Sequence, residues 1–348
     1  MYVPVVGADG KPLMPCHPAR ARELVRKGRA LRRFDRGLFY LQLVDRKDGE
    51  TQPVVVGIDP GSKWEGFTVK SGKRTFLNVH ADAVTHVSRA VETRRNMRRA
   101  RRYRTTPCRA NRQNRARGGI PPSTKARWQW KLRLAGWLAR RYPVSVFVVE
   151  DVKVKTQKGK TGEARHWNRN FSPIEVGKRL FYDELAQIAP VDTRKVEETA
   201  ALREQLGLAK TADKSAEVFE AHCVDSWVLA NSATGGHATP DCTRLLRVTP
   251  LRFHRRQLHR LQPAKCGVRG PYGGTRSHGF KRGALVKHYK FGMAYVGGNA
   301  GDRVSLHSVE TGARLTKHAR PADCVVLAPF NAWRTRLLPG MNAGVPAA

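Results

Sequence analysis

Short β-branched runs separated by glycine and proline turns dominate the first half of the chain. Residues 2–6 read as a strand, followed by a turn at Asp9-Gly10 and the motif Pro12-Leu13-Met14-Pro15. Residues 18–27 have a helical pattern that stops at Gly28, a residue suited to a left-handed cap. With a strand at 38–43 they make a small βαβ module. Residues 53–59 form a continuous apolar run that ends in a carboxylate, Asp59, and passes into the turn Pro60-Gly61-Ser62. Strands at 66–70 and 75–80 complete an antiparallel meander. A second apolar run, 144–149, also ends in acid, at Glu150-Asp151. Helical stretches follow near 174–188 and 214–231, with a short strand at 191–196. Strands first and helices later, with one long basic helix between them, predict an α/β layered core. Beyond residue 284, strands at 284–286, 291–296, 304–309 and 324–327 predict a small β-barrel or sandwich.

Charge changes the picture. The 348 residues carry 65 Lys+Arg against 28 Asp+Glu, a net +37. Such self-repulsion opposes a compact state unless a polyanion neutralises it, so the expected partner is nucleic acid. The surplus is uneven: 89–141 holds 18 basic residues and one acid, whereas 142–231 holds 13 basic and 14 acidic. Basic tracts therefore flank a centre that keeps its carboxylates. Arg89, Arg94, Arg95, Arg98, Arg99, Arg101, Arg102 and Arg104 crowd sixteen positions. As a helix they leave no apolar stripe for a core to hold, and like charges at i,i+4 repel. Arginine's planar fork suits phosphate. No run reaches the roughly 18 apolar residues of a membrane span, and the N-terminus lacks an apolar signal segment. Six cysteines without a C-x-x-C pair disfavour a disulfide framework and fit a reducing cytosol. Cys242, His254, His259 and Cys266 have no standard zinc-site spacing. Trp128, Trp130 and Trp137 stand among basic residues, where base stacking competes with packing of a helix on the sheet; packing is the expectation at 130 and 137.

Asp59 and Glu150 end two apolar strands, which puts both carboxylates at a sheet rim. In Glu217-Val-Phe-Glu220-Ala-His222-Cys-Val-Asp225, His222 and Asp225 are i,i+3 neighbours if the segment is helical. Three carboxylates and an imidazole converging at one edge suit hard divalent ions: Mg2+ takes oxygen ligands and keeps several waters. Two ions about 4 Å apart stabilise both oxygens in phosphodiester hydrolysis.

Val56-Gly57-Ile58-Asp59-Pro60-Gly61-Ser62, Val148-Val149-Glu150 and His222-Cys-Val-Asp225 resemble the three motifs of RuvC-like nucleases of the RNase H fold. The Pro12-Leu13-Met14-Pro15 motif, the Arg-rich helix and the stretch Arg165-His-Trp-Asn-Arg-Asn-Phe-Ser-Pro-Ile-Glu-Val-Gly-Lys178 resemble the transposon-encoded OMEGA proteins IscB and IsrB, relatives of the ancestors of CRISPR type II effectors. IscB carries an HNH nuclease between its second and third motifs. Here residues 151–221 hold one histidine, His166, and leave no room for it, so the resemblance is to IsrB.

That resemblance implies an RNase H-like core and an RNA-guided DNA nickase that cuts the non-target strand by Mg2+-dependent hydrolysis, with Mn2+ as a possible substitute. Asp59, Glu150 and Asp225 would hold two ions; His222 would deprotonate or orient the water, or stand behind the ligands as a neutral group. Arg94, Arg95, Arg98, Arg99, Arg101, Arg102 and Arg104 would grip the guide–target heteroduplex by its A-form shape. The implied layout is an N-terminal module at 1–50, RuvC-like segment I at 51–88, a bridge helix at 89–117 and RuvC-like segments II and III at 118–231. A guide-RNA-interacting region at 232–284 and a β-rich module at 285–348, reading a target-adjacent motif, complete it. Expected partners are a noncoding guide RNA and double-stranded target DNA, with a monomeric protein in a cytoplasmic, nucleoid-associated ribonucleoprotein and no membrane. The competing expectation is an RNA-binding scaffold with an inactive RNase H-like fold. A TnpB-like nuclease would carry a C-x-x-C zinc element, and a junction resolvase would be shorter, without the basic tracts.

Overall fold

The computed structural model describes residues 2–105, 120–153, 176–251, 261–262, 267–268, 276–329 and 333–338. Residues 165–175 of the 165–178 motif, the stretch 106–119, and His254, His259 and Cys266 lie outside the described residues. The chain divides into two units: residues 1–33, 40–247 and 337–348, and residues 34–39 and 248–336.

The first unit opens with β1 (Val3–Val6), β2 (Pro12–Cys16), α1 (Pro18–Arg26), β3 (Ala30–Asp35) and β4 (Leu38–Leu43). β1 pairs antiparallel with β2 and parallel with β4, so the βαβ expectation holds. The Pro-Leu-Met-Pro motif is itself a strand, which its two prolines hid from pattern reading. Pro18 starts α1, where a missing N–H costs nothing, and the His17 ring accepts the Ala19 N–H at 3.3 Å.

The central sheet is built from β5 (Val54–Asp59), β6 (Trp64–Ser71) and β7 (Thr75–Asp82), then β8 (Val144–Asp151) and β9 (Val191–Lys195). Between them run α2 (His86–Thr105), α3 (Pro122–Ala139) and α4 (Lys178–Ala186); α5 (Val196–Gln205) and α6 (Phe219–Thr234) follow. The order is β7-β6-β5-β8-β9, with β5, β6 and β7 antiparallel and β8 and β9 parallel to β5. In order of appearance this is 3-2-1-4-5 with the second strand reversed, the RNase H-like arrangement. All six residues of β5 are buried, with α6 packed along the strand; strands buried on both faces read as unbroken apolar runs.

Helix α6 is buried almost all round, from Phe219 to Asn231, and ends at Gly235 with φ +63. A helix apolar on every side belongs inside a core. The expected helix over 214–231 thus starts five residues late. The expected helix over 174–188 starts at Lys178, after Gly177 in the left-handed region (φ +89). Trp128, Trp130 and Trp137 are all buried, in line with packing at 130 and 137, and Trp128 donates to the Val176 carbonyl at 2.8 Å. β10 (Leu245–Pro250) extends the sheet beyond β7 and leads toward the second unit.

The second unit contains two short pairs, β11 (Leu261–Gln262) with β12 (Gly267–Val268) and β13 (Arg276–Ser277) with β14 (Phe280–Lys281). Its main sheet joins β15 (Leu285–His288), β16 (Gly292–Ala300), β17 (Arg303–Ser308), β18 (Arg314–Ala319) and β19 (Cys324–Ala328) in the order β18-β17-β16-β15-β19. All neighbours are antiparallel, around Val286, Ala294, Val296, Val304 and Leu306. β18 and β19 are its edges. β20 (Trp333–Leu338) leads the chain back.

Candidate active site

Four acidic and imidazole side chains predicted from sequence meet at one end of the central sheet. Ile58 and Val149 are paired in register on adjacent parallel strands, so Asp59 and Glu150, one residue further along, emerge side by side. Asp59 in turn faces Gly66 on β6, and Gly66 faces His80 on β7. Glycine at position 66 is dictated by the helix above: an added Cβ would stand 2.4 Å from the His222 carbonyl oxygen. At Gly57 it would stand 1.9 Å from the Ser226 carbonyl oxygen. The two glycines let α6 lie against the strands, and Thr68 and Ser226 share a 2.8 Å hydroxyl hydrogen bond beneath it.

That approach brings His222 and Asp225 to the strand ends. His222 Nδ1 is 3.4 Å from Asp59 Oδ2, and Nε2 is 3.1 Å from the Lys214 carbonyl oxygen. A carbonyl only accepts, so this contact assigns a proton to Nε2, and Nδ1 is the ring nitrogen turned toward the Asp59 carboxylate. Asp225 receives Arg203 Nη1 on Oδ1 at 2.7 Å and Lys210 Nζ on Oδ2. All four side chains are shielded: Asp59 and Glu150 are 7% exposed, His222 8% and Asp225 1%.

Burial, with Asp59 and Asp225 nearby, pushes the Glu150 carboxyl up to about 8, against the opposing effects of Lys210 and a Thr199 hydroxyl. Burial works against the Lys210 ammonium, yet Asp59, Asp225 and Glu150 together hold its pKa above the ordinary lysine value. Glu150 therefore feels both other carboxylates, and all three feel the Lys210 ammonium. Asp151 is sorted away from them: the strand alternation points it at α4, where Lys178 Nζ (2.9 Å) and the Tyr182 hydroxyl (3.0 Å) bind it.

The donor set fits a hard divalent ion in its chemistry, three oxygen donors with Asp59 and Asp225 close enough to raise the proton affinity of Glu150. Among the described residues, however, no three His, Cys, Asp or Glu side chains are gathered closely enough to hold an ion. The cations of Arg203 and Lys210 face Asp225 instead.

Three participants escaped the sequence. His80 is buried with its ring 5.4 Å from that of His222, and neither of its nitrogens has a hydrogen-bond partner among the described residues. Burial, with His222 second, holds it down at about 4. Lys131 of α3 is buried with Glu65 of β6, its Nζ 2.9 Å from Glu65 Oε1 and 3.2 Å from the carbonyl oxygen of Gly61 in the turn after Asp59. Burial raises the Glu65 carboxyl and Lys131 opposes this. Lys210, the third, sits in an unremarkable polar segment; only its spacing from the acids in space distinguishes it. His80 lies near the end of the third strand of the meander, and the register that sets it opposite Gly66 is visible only in the structure.

On α2 no described side chain is buried: Arg89, Arg95 and Arg99 are exposed and Arg94 is half-buried. The side chains of Arg98, Arg101, Arg102 and Arg104 lie outside the described residues.

Residues 3–170, just under half of the chain, match the family described as RRXRR protein. Arg98-Arg99-Ala100-Arg101-Arg102 on α2 spells that pattern. Among solved structures, Thermus thermophilus RuvC in complex with Holliday junction substrate aligns at 15% identity, covering 53% of this chain and 98% of that one, with a TM-score of 0.30. Another Thermus thermophilus RuvC structure aligns at 16% identity, covering 53% and 97%, with a TM-score of 0.27. Likeness at this level adds nothing to what the strand order already gives. No curated protein matches the chain. No helix among the described residues is long and apolar enough to cross a membrane.

Proposed function

We propose that this chain is a divalent-metal-dependent DNA endonuclease that works with a bound guide RNA and nicks one strand of the target duplex. The observation that carries the reading is the row formed by Asp59 and Glu150 on adjacent parallel strands, with His222 and Asp225 delivered onto it by one buried helix. The match of residues 3–170 to the RRXRR family and the net charge of +37 support a nucleic-acid partner.

In this reading Asp59, Glu150 and Asp225 hold Mg2+, with Mn2+ as a substitute. The ions supply charge stabilisation to the attacking and leaving oxygens of the phosphodiester. His222 takes a proton at Nδ1 while the Lys214 carbonyl fixes its ring through Nε2. Exposed arginines of α2 run along phosphates of the guide–target heteroduplex, whose shape rather than sequence they read. The single nuclease centre cuts one strand, the displaced non-target strand, beside a short motif that the second unit reads in duplex DNA.

A second reading, an RNA-binding scaffold with an inactive RNase H-like centre, is favoured by one observation: both oxygens of Asp225 are engaged by cations of the chain itself. One experiment separates the two. RNA co-purified with the full chain is sequenced, and the ribonucleoprotein is given supercoiled plasmid carrying the guide-matched sequence. Open-circular product with Mg2+ and none with EDTA is expected, with Asp59→Asn and Glu150→Gln both inactive yet still RNA-bound. Undiminished nicking by both variants removes the site; no nicking by the parent protein with either metal leaves the scaffold.

A further inference from the structure

Asp225 is the most deeply buried of the four site residues, and its two oxygens are treated differently by the fold. Oδ1 is held by Arg203, which projects from the regular helix α5. Oδ2 is held by Lys210, which projects from the segment joining α5 to α6. That segment is not loosely draped. The Thr211 N–H donates to the Glu220 carbonyl at 3.1 Å, one residue beyond Lys210, and the Lys214 carbonyl accepts from His222 Nε2 at 3.1 Å. Asp213 accepts from both the backbone and the hydroxyl of Ser215, closing a turn between those two anchors. The backbone is thus pinned directly after Lys210, which reaches inward by its flexible four-carbon stem. Its ammonium interacts with Asp59, Glu150 and Asp225 together, while that of Lys214 interacts with Asp59 and Asp225.

We propose that Lys210 is a built-in counter-ion for the three carboxylates, standing where a divalent cation binds and giving way to it, so that Asp225 Oδ2 becomes the ligating oxygen while Arg203 keeps Oδ1 in place. This rests on the metal-dependent reading above. A compact ammonium on a flexible stem suits such a role, because it offsets the repulsion among crowded carboxylates and leaves by side-chain rotation without moving the anchored backbone. Arg203 does not fit the same description: it makes a single Nη1–Oδ1 bond from a regular helix, and its planar guanidinium is a poor stand-in for a compact ion. The two cations on Asp225 accordingly have opposite relations to the metal. Lys210 competes with it. Arg203 positions the ligand for it.

The test uses the full chain freed of nucleic acid, with Mn2+ as the probe and its dissociation constant read by calorimetry. Lys210→Met is expected to tighten Mn2+ binding about tenfold, the equivalent of removing one competing ion pair at a shielded carboxylate, and to lower the melting temperature of the metal-free protein. Arg203→Met is expected to weaken Mn2+ binding. Lys210→Gln, which keeps a polar end without the charge, provides the same comparison if the methionine variant fails to fold. Unchanged or weaker Mn2+ binding in the Lys210 variants, with the parent protein binding the ion, overturns the proposal and leaves the metal site standing. If neither parent nor variants bind Mn2+ while folded, the metal-dependent reading itself falls, and this inference with it.

Discussion

Gly57→Ala is the sharpest test of how the fold builds the site, because the residue touches no predicted ligand. Its added carbon would lie 1.9 Å from the Ser226 carbonyl oxygen, 2.8 Å from the Ala230 nitrogen and 2.9 Å from the Ser226 carbonyl carbon. All three are backbone atoms of α6, so no side chain can swing aside. Ordinary contact starts at 3.4 Å, and 3.4 minus 1.9 leaves 1.5 Å by which helix and strand must separate. Overpacking of this kind costs about 1–3 kcal/mol, and loss of the Thr68–Ser226 bond about 1 kcal/mol more. Alanine returns roughly 0.5–1 kcal/mol through its lower backbone entropy in a strand. The net is a destabilisation of about 1–3.5 kcal/mol, or a melting temperature lower by about 2–14 °C for a unit of this size. The same retreat carries His222 and Asp225 away from Asp59 and Glu150, and a displacement of about 1 Å costs on the order of a hundredfold in rate. Thermal melts and plasmid nicking measure the two effects. Gly72→Ala is the matched control, since its new carbon would meet only the Thr234 carbonyl oxygen at 3.4 Å. A Gly57→Ala protein that melts with the parent and nicks at the parent rate would refute the argument that helix proximity creates the site.

Three further outcomes follow from buried charge. Lys131→Met alone strands the Glu65 carboxylate and is expected to cost about 3–5 kcal/mol, whereas Glu65→Met/Lys131→Met recovers most of this, a difference that denaturant melts resolve. The metal-free chain should also lose stability as pH rises: Glu150 is raised from 4.5 to about 8 in the folded protein, so the folded state holds the extra proton between those values. At about 1.4 kcal/mol per unit this contribution is complete below pH 4.5, falls by a few kcal/mol through pH 8, and disappears in Glu150→Gln, checked by melts from pH 5 to 9. His80 acts in the opposite sense. It is lowered from 6.5 to about 4, so stability declines as pH falls through that window, and His80→Leu flattens the acid limb.

What could be seen in the sequence had a local cause. Val54–Asp59 and Val144–Asp151 declared themselves as strands because burial on both faces demands unbroken β-branched runs, and their terminal acids stood out against them. His222 and Asp225 were legible as an i,i+3 pair. The elements that stayed hidden lack a periodic signature: β18, Arg-Leu-Thr-Lys-His-Ala, has four exposed positions out of six, and α5 buries only Thr199. The start of α6 was misplaced because Lys214 to Val218 continues the sequence pattern but spends its hydrogen bonds on turns. Contacts between distant positions were out of reach for a different reason. Nothing about Lys131 or Lys210 separates them, as single letters, from the solvated lysines around them; what distinguishes them is which carboxylate the topology sets beside each.

The hydrogen bond from Lys131 to Gly61 ties α3 to the turn that directly follows Asp59. Tilting that helix while the turn stays put would break this bond, which couples the two positions. α3 also packs against α2. A force on the arginine helix therefore has a path, through α3 and Lys131, to the backbone beside the first carboxylate.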